Sequence, residues 1–205
     1  MRYQFICVGA LLASLITNGT VKAQAGSQTF TPTGPVIHPY EARFMVPATA
    51  TSVTIECFGS AGYLIDRGAP PGTVWGGMGG GAYASSTFAL NANSNRTIKI
   101  EIDARETTAR CQAIIKAAAG QGPNLVTATQ GGLGGQAAAS SGQIVFSGGN
   151  GGNSFYNAAV INRGGDGGAA SAAGNGVAGT AGTAMAAGAS GAPASGWGTV
   201  KITWK

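Results

Sequence analysis

The chain has 205 residues; 36 are glycine, 9% are charged, and the formal net charge is +5. That length holds one domain comfortably and two with difficulty. The basic excess is small and scattered: Arg96, Lys99, Arg105 and Arg110 interleave with Glu101, Asp103 and Glu106. This pattern excludes the dense basic stripe of a nucleic-acid-binding protein.

Residues 1–23 read as a signal peptide. Arg2 supplies a positive start, Phe5 to Ile16 an apolar core, and Val21-Lys22-Ala23 a small-residue cleavage pattern. Cleavage after Ala23 leaves Gln24 first, although Ala23-Gln24-Ala25 fits a cleavage pattern as well. A retained span needs about 20 apolar residues, and this run stops at Thr17-Asn18-Gly19-Thr20. The expectation is a secreted or cell-surface protein with no membrane insertion once the leader is removed.

Residues 24–43 form an extended lead-in. Gln28-Thr29-Phe30 reads as an added edge strand, and Thr31 to Pro39 (TPTGPVIHP) is too rich in proline for a helix. Residues 44–205 read as one glycine-rich domain. Val53-Thr54-Ile55-Glu56-Cys57-Phe58 alternates with Val53, Ile55 and Cys57 on one face. Thr97 to Ile102 repeats the pattern with three isoleucines, and Thr199 to Trp204 closes the chain with it. Such alternation predicts sheet with one face buried and one wet. Weaker strands are predicted over Ala42–Val46, Ala82–Leu90, Cys111–Ala117, Gln143–Phe146 and Ser154–Ile161. Short strands between turn signals predict an all-β, antiparallel sandwich.

Between the strands lie glycine tracts: Gly76 to Gly81, Gly131 to Gly135, Gly148 to Gly152, and Gly164 to Gly168. In each, glycines recur at i and i+3 in two columns, while Met78, Leu133, Asn150 and Asp166 occupy the third. Polyproline II has about three residues per turn, so the two columns become bare faces along which backbones can approach. The expectation is a set of packed polyglycine II helices with hydrogen bonds between them. Gly174 to Gly196 keeps one such column (Gly176, Gly179, Gly182, Gly188, Gly191), interrupted at Met185, which predicts a helix at the edge. Flexible glycine linkers are the alternative.

Two cysteines remain after the leader, Cys57 and Cys111. An even count in an exported chain predicts one disulfide, the alternative being two separate buried thiols. His38, the lone histidine, sits in the proline-rich lead-in and reads as a turn residue. No serine has a base held by a third group, as nucleophilic catalysis requires. Asp166 stands in GGDGG, without the order of the calcium-binding glycine repeat. No cofactor and no metal are expected. Tyr63, Arg67 and Trp75, in the inserted loop YLIDRGAPPGTVW, are candidate ligand contacts, because aromatic side chains with a polar tip suit sugars or proteins. Phe155 and Trp197 read as caps on the glycine bundle.

The segments FMVPATATSVTIECFGSAG (44–62), GGGAYASSTFAL (79–90), RTIKIEI (96–102), AIIKAAAGQG (113–122) and GWGTVKITW (196–204) resemble the strands and turns of secreted glycine-rich domains. The plan is similar to the extracellular glycine-rich domain of the anaplastic lymphoma kinase receptor. The tracts are also similar to those of tail-fibre-tip adhesins of T-even-like phages. The resemblance implies a jelly-roll-like sandwich with polyglycine II helices packed beside it, and receptor binding through loops at one end of the bundle. It departs at Ile102-Asp103-Ala104-Arg105-Glu106, where the family has a Val-Gly-x-Gly turn, and at Ala118 and Ala119, where glycines are common. The shared motifs belong to the scaffold, so no catalytic residue is implied.

The function expected is a non-catalytic exported glycine-rich protein, structural or adhesive, with glycans or surface proteins as partners. An ice-binding protein is one alternative, using a flat helix face with the repeat Gly179-Thr180-Ala181-Gly182-Thr183-Ala184. A secreted hydrolase is the other. Bare glycine faces leave association with further copies, as a trimer or fibre, open.

Overall fold

The computed structural model describes residues 24–33, 39–62, 76–119, 121, 132–156, 161–183, 185–188, 190–191 and 197–205. Residues 1–23, read above as a signal peptide, and His38 lie outside them. Among the described residues there are eleven strands: β1 (Gly26–Phe30), β2 (Tyr40–Met45), β3 (Ser52–Phe58), β4 (Tyr83–Ala89), β5 (Thr97–Ile102), β6 (Glu106–Arg110), β7 (Ile114–Ala118), β8 (Ile144–Phe146), β9 (Phe155–Tyr156), β10 (Ile161–Asn162) and β11 (Thr199–Trp204). A five-stranded sheet runs β1-β11-β3-β4-β8 and a four-stranded sheet β2-β5-β6-β7, every pairing antiparallel. The fold is the expected all-β sandwich.

The alternating residues supply the core between the sheets. Val53, Ile55 and Cys57 of β3, Val200 and Ile202 of β11, and Ile98, Ile100 and Ile102 of β5 are all fully buried. Burying an aliphatic side chain of this size contributes about 1.5–3 kcal/mol. Thr107, Ala109, Ile115 and Ala117 of β6 and β7 complete the opposite wall.

Strand β6 departs from expectation. Its inward residues are Thr107 and Ala109, too small and too polar to register as an apolar alternation. The turn before it contains no glycine. Asp103 Oδ1 accepts the backbone N–H groups of Arg105 at 2.6 Å and Glu106 at 2.8 Å, which closes the β5–β6 hairpin. The single strand expected at Ser154–Ile161 is also corrected. Tyr156 pairs with Ile161 and Phe155 with Asn162, so β9 and β10 are the arms of a hairpin.

The expected disulfide is not formed: Cys57 and Cys111 are free, buried thiols. Cys57 Sγ lies across the core at 3.7 Å from the Ile115 carbonyl in β7. Cys111 sits in the β6–β7 turn and donates to the Asn95 carbonyl at 3.1 Å. The two sulfurs thus engage carbonyls of different segments, Ile115 within β7 and Asn95 just before β5.

Candidate functional site

The glycine-rich segments lie side by side next to the sandwich. The first tract (76–82) leads into β4 and the second (132–136) toward β8. The third (147–153) leaves β8, the fourth (162–170) follows β10, the fifth (175–183) comes next, and the sixth covers 185–188 and 190–191. Backbone N–H groups three residues apart donate from one tract to its neighbour. Gly77 and Gly80 donate to Gly152 and Gly149 at 2.8 and 2.9 Å, so the first tract bonds the third. Gly149 and Gly152 then donate to Gly168 and Gly165 at 2.9 and 2.8 Å, binding the fourth. Gly167 and Ala170 return from the fourth to Met78 and Gly81 of the first at 2.7 and 2.9 Å, closing a triangle. The first, second and third tracts form another such cycle, through Gly132 to Gly77 and Gly148 to Gly135. The third, fourth and fifth form one more, through Gly165 to Thr180 and Gly179 to Asn150.

Absence of Cβ is what permits these approaches. A Cβ at Gly77 would strike the Gly165 carbonyl, and one at Gly149 the Val177 carbonyl. Residues outside the glycine columns also have a role. Asn150 Oδ1 accepts Gly134 N–H at 2.8 Å, Asp166 Oδ1 accepts Met78 N–H at 2.7 Å, and Asn175 Oδ1 accepts Ser147 N–H at 2.8 Å. These side-chain oxygens accept three further backbone N–H groups, which adds to the bonding between the tracts. Asp166 also receives Arg163 Nη2 at 2.7 Å, so its carboxylate belongs to the bundle.

The tract from Gly174 onward is corrected from one edge element to two. Thr183 N–H donates to the Ala186 carbonyl at 2.8 Å, and Thr183 Oγ1 accepts from Ala186 and Met185. Met185, which broke the glycine step, therefore marks a turn. Gly188 and Gly191 return along the fourth tract, donating to Arg163 and Asp166 at 2.8 Å.

This connectivity separates two ends. Tyr83 and Phe146, where β4 and β8 meet the bundle, mark the near end. Gly76, Gly132, Asn153, Asn162 and Thr183 mark the far end. There the β9–β10 hairpin carries Phe155, Asn162 Nδ2 donates to the Thr183 carbonyl at 2.6 Å, and Met185 is 95% exposed. Tyr63, Arg67 and Trp75 lie outside the described residues; the loop that holds them joins Gly62 to Gly76. Trp197 is half-buried just before β11, at the sandwich end, whereas Phe155 is at the far end. The far end thus displays amide, apolar and aromatic groups. Among the described residues no three of His, Cys, Asp and Glu gather as a metal site, and no helix is long and apolar enough to cross a membrane.

A shallow groove of about 380 Å³ lies elsewhere, lined by Gln24, Ala25, Gly26, Ser27, Pro47, Thr49 and Trp204. It lies where β1 meets β11, because Gly26 pairs with Trp204 and the indole covers the space a side chain would take. Its lining side chains include no acid or base. Alternation alone could not reveal it, since it depends on β1 pairing with β11. No family model and no curated protein matches the chain.

Proposed function

We propose that the protein is a non-catalytic exported scaffold that binds surface glycans or proteins through the loops at the far end of its glycine bundle. The observation carrying this reading is the cyclic hydrogen bonding between tracts at a step of three residues. That period is the one expected of polyglycine II helices, and we read the tracts as such. A hydrogen-bonded bundle is a stiff stalk, and stiffness limits the entropy lost when its end loops engage a ligand. Function on loops held by a rigid scaffold is a general pattern.

The ice-binding alternative depends on exposed threonines of the fifth tract. Thr183 Oγ1 is occupied in its own turn, which weakens a regular hydroxyl face. The adhesive reading is therefore preferred.

The test is binding of the protein, without its leader, to a glycan array and to intact cells. It is compared with a Tyr63→Ala, Trp75→Ala double variant of equal thermal stability. Binding by the parent that the variant loses supports the reading. Equal binding by both refutes the assignment of the loop, and no binding by either refutes adhesion. Circular dichroism of the same samples should carry a polyproline-II-type component that melts cooperatively.

A further inference from the structure

Asn150 and Asn175 are the asparagines after the leader that are followed directly by glycine. Such pairs carry an intrinsic chemistry. The backbone nitrogen of the glycine, once it loses its proton to base, attacks the asparagine Cγ. A C–N bond forms, ammonia leaves, and a five-membered succinimide remains. Water then opens the ring at one carbonyl to give aspartate or at the other to give isoaspartate. Glycine favours the attack because no Cβ shields its nitrogen.

In the bundle both reacting groups of each pair are occupied. Asn150 Oδ1 accepts Gly134 N–H at 2.8 Å, and Gly151 N–H donates to the Gly132 carbonyl at 2.8 Å. Both bonds run to the second tract. Asn175 Oδ1 accepts Ser147 N–H at 2.8 Å, and Gly176 N–H donates to the Ser147 carbonyl at 2.9 Å. Both of those run to one residue of the third tract. The attacking nitrogen keeps its proton in a hydrogen bond, and the amide under attack is held by a donor from a neighbour. Each pair is clamped at two points by a single neighbouring segment, and each clamp opens when that segment leaves.

We propose that Asn150–Gly151 and Asn175–Gly176 are latent sites of spontaneous amide loss, silenced by the bundle, and that each reports the departure of a different tract. Conversion at Asn150 reports loss of the second tract; conversion at Asn175 reports separation of the fifth from the third. The products have unequal consequences. Aspartate at either site keeps an acceptor oxygen for the neighbouring N–H. Isoaspartate adds a backbone carbon, shifts the step of three, and prevents the tract from closing again in register.

The experiment incubates the protein at mildly alkaline pH, folded and in concentrated urea, and follows both sites by peptide mapping with mass spectrometry. In the fold, conversion should be at least about tenfold slower than in urea, a factor equivalent to ~1.4 kcal/mol of opening free energy. Gly179→Ala places a Cβ against the Gly165 carbonyl and should accelerate Asn175 in preference to Asn150. Gly134→Ala, whose Cβ meets the Gly148 carbonyl, should have the opposite preference. Equal rates in the folded and urea-treated parent would overturn the silencing, whatever the variants do. If the parent is protected but both variants accelerate both sites equally, site-specific reporting is overturned.

Discussion

A methyl group added to Gly77 would collide with the carbonyl oxygen of Gly165, although the two stand 88 positions apart in the sequence. Neither backbone can retreat freely, because each is bonded to the third tract: Gly77 N–H to Gly152, and Gly152 N–H to Gly165. Gly77→Ala should therefore destabilise the protein by about 3 kcal/mol, at the upper end of the cost of overpacking. Leu133→Ala, at a half-exposed third-column position, should change stability by less than about 1 kcal/mol. Urea unfolding of the two variants measures both.

Asp166 should be replaceable by a neutral acceptor and by little else. Asp166→Ala removes the acceptor for Met78 N–H and the partner of Arg163. The expected cost is about 1–3 kcal/mol, chiefly from the donor left unsatisfied. Asp166→Asn can still accept the Met78 bond through its side-chain oxygen and should lose less than half of that. A thermal melt of the two variants side by side separates the acceptor role from the ion pair.

Thr107 Oγ1 is fully buried without a hydrogen-bond partner, against Gly198. Valine has nearly the same shape without the hydroxyl. Thr107→Val should therefore stabilise the fold by about 1 kcal/mol, since it removes an uncompensated polar group. A fall in the urea midpoint would show that the hydroxyl does have a partner in solution.

The two thiols set an alkaline limit. Burial pushes Cys57 far above the ordinary thiol value of 9.0, opposed only in part by a backbone hydrogen bond; burial raises Cys111 as well. A raised folded pKa leaves stability unchanged below the unfolded value. Above it, the unfolded chain releases protons that the folded chain retains, so stability falls as pH rises. The slope should approach ~1.4 kcal/mol per pH unit for each thiol that stays protonated in the fold. Stability between pH 7 and 10 tests this, with Cys57→Ala reducing the slope. Reductant should leave the melting temperature unchanged, because no bridge is present to break.

Much of the sandwich is legible along the chain because burial on one sheet face leaves a period of two in side-chain character. Val53 to Cys57, Ile98 to Ile102 and Val200 to Ile202 carry that signal. Strand β6 does not, because Thr107 becomes a core residue only opposite Ile102 and against Gly198, and Ala109 only between Ile100 and Ile115. The single strand predicted over Ser154–Ile161 is a hairpin instead, for a related reason. Two-residue strands show no period, and only the pairing of Phe155 with Asn162 reveals the fold-back.

The glycine region divides in the same way. Glycine spacing by itself determined that bare columns recur at every third residue and that Asn150 and Asp166 stand outside them. It could not name the partners, because the groups that bond are backbone N–H and C=O, which are the same at every non-proline residue. Only the tertiary structure decided that Gly77 meets Gly165 and that Met185 marks a turn between two tracts. It also decided that Cys57 and Cys111 stay apart. The reason is geometric: β4 and β8 set where the first and third tracts meet the sandwich, and hydrogen bonds at a step of three set which neighbour each tract then follows.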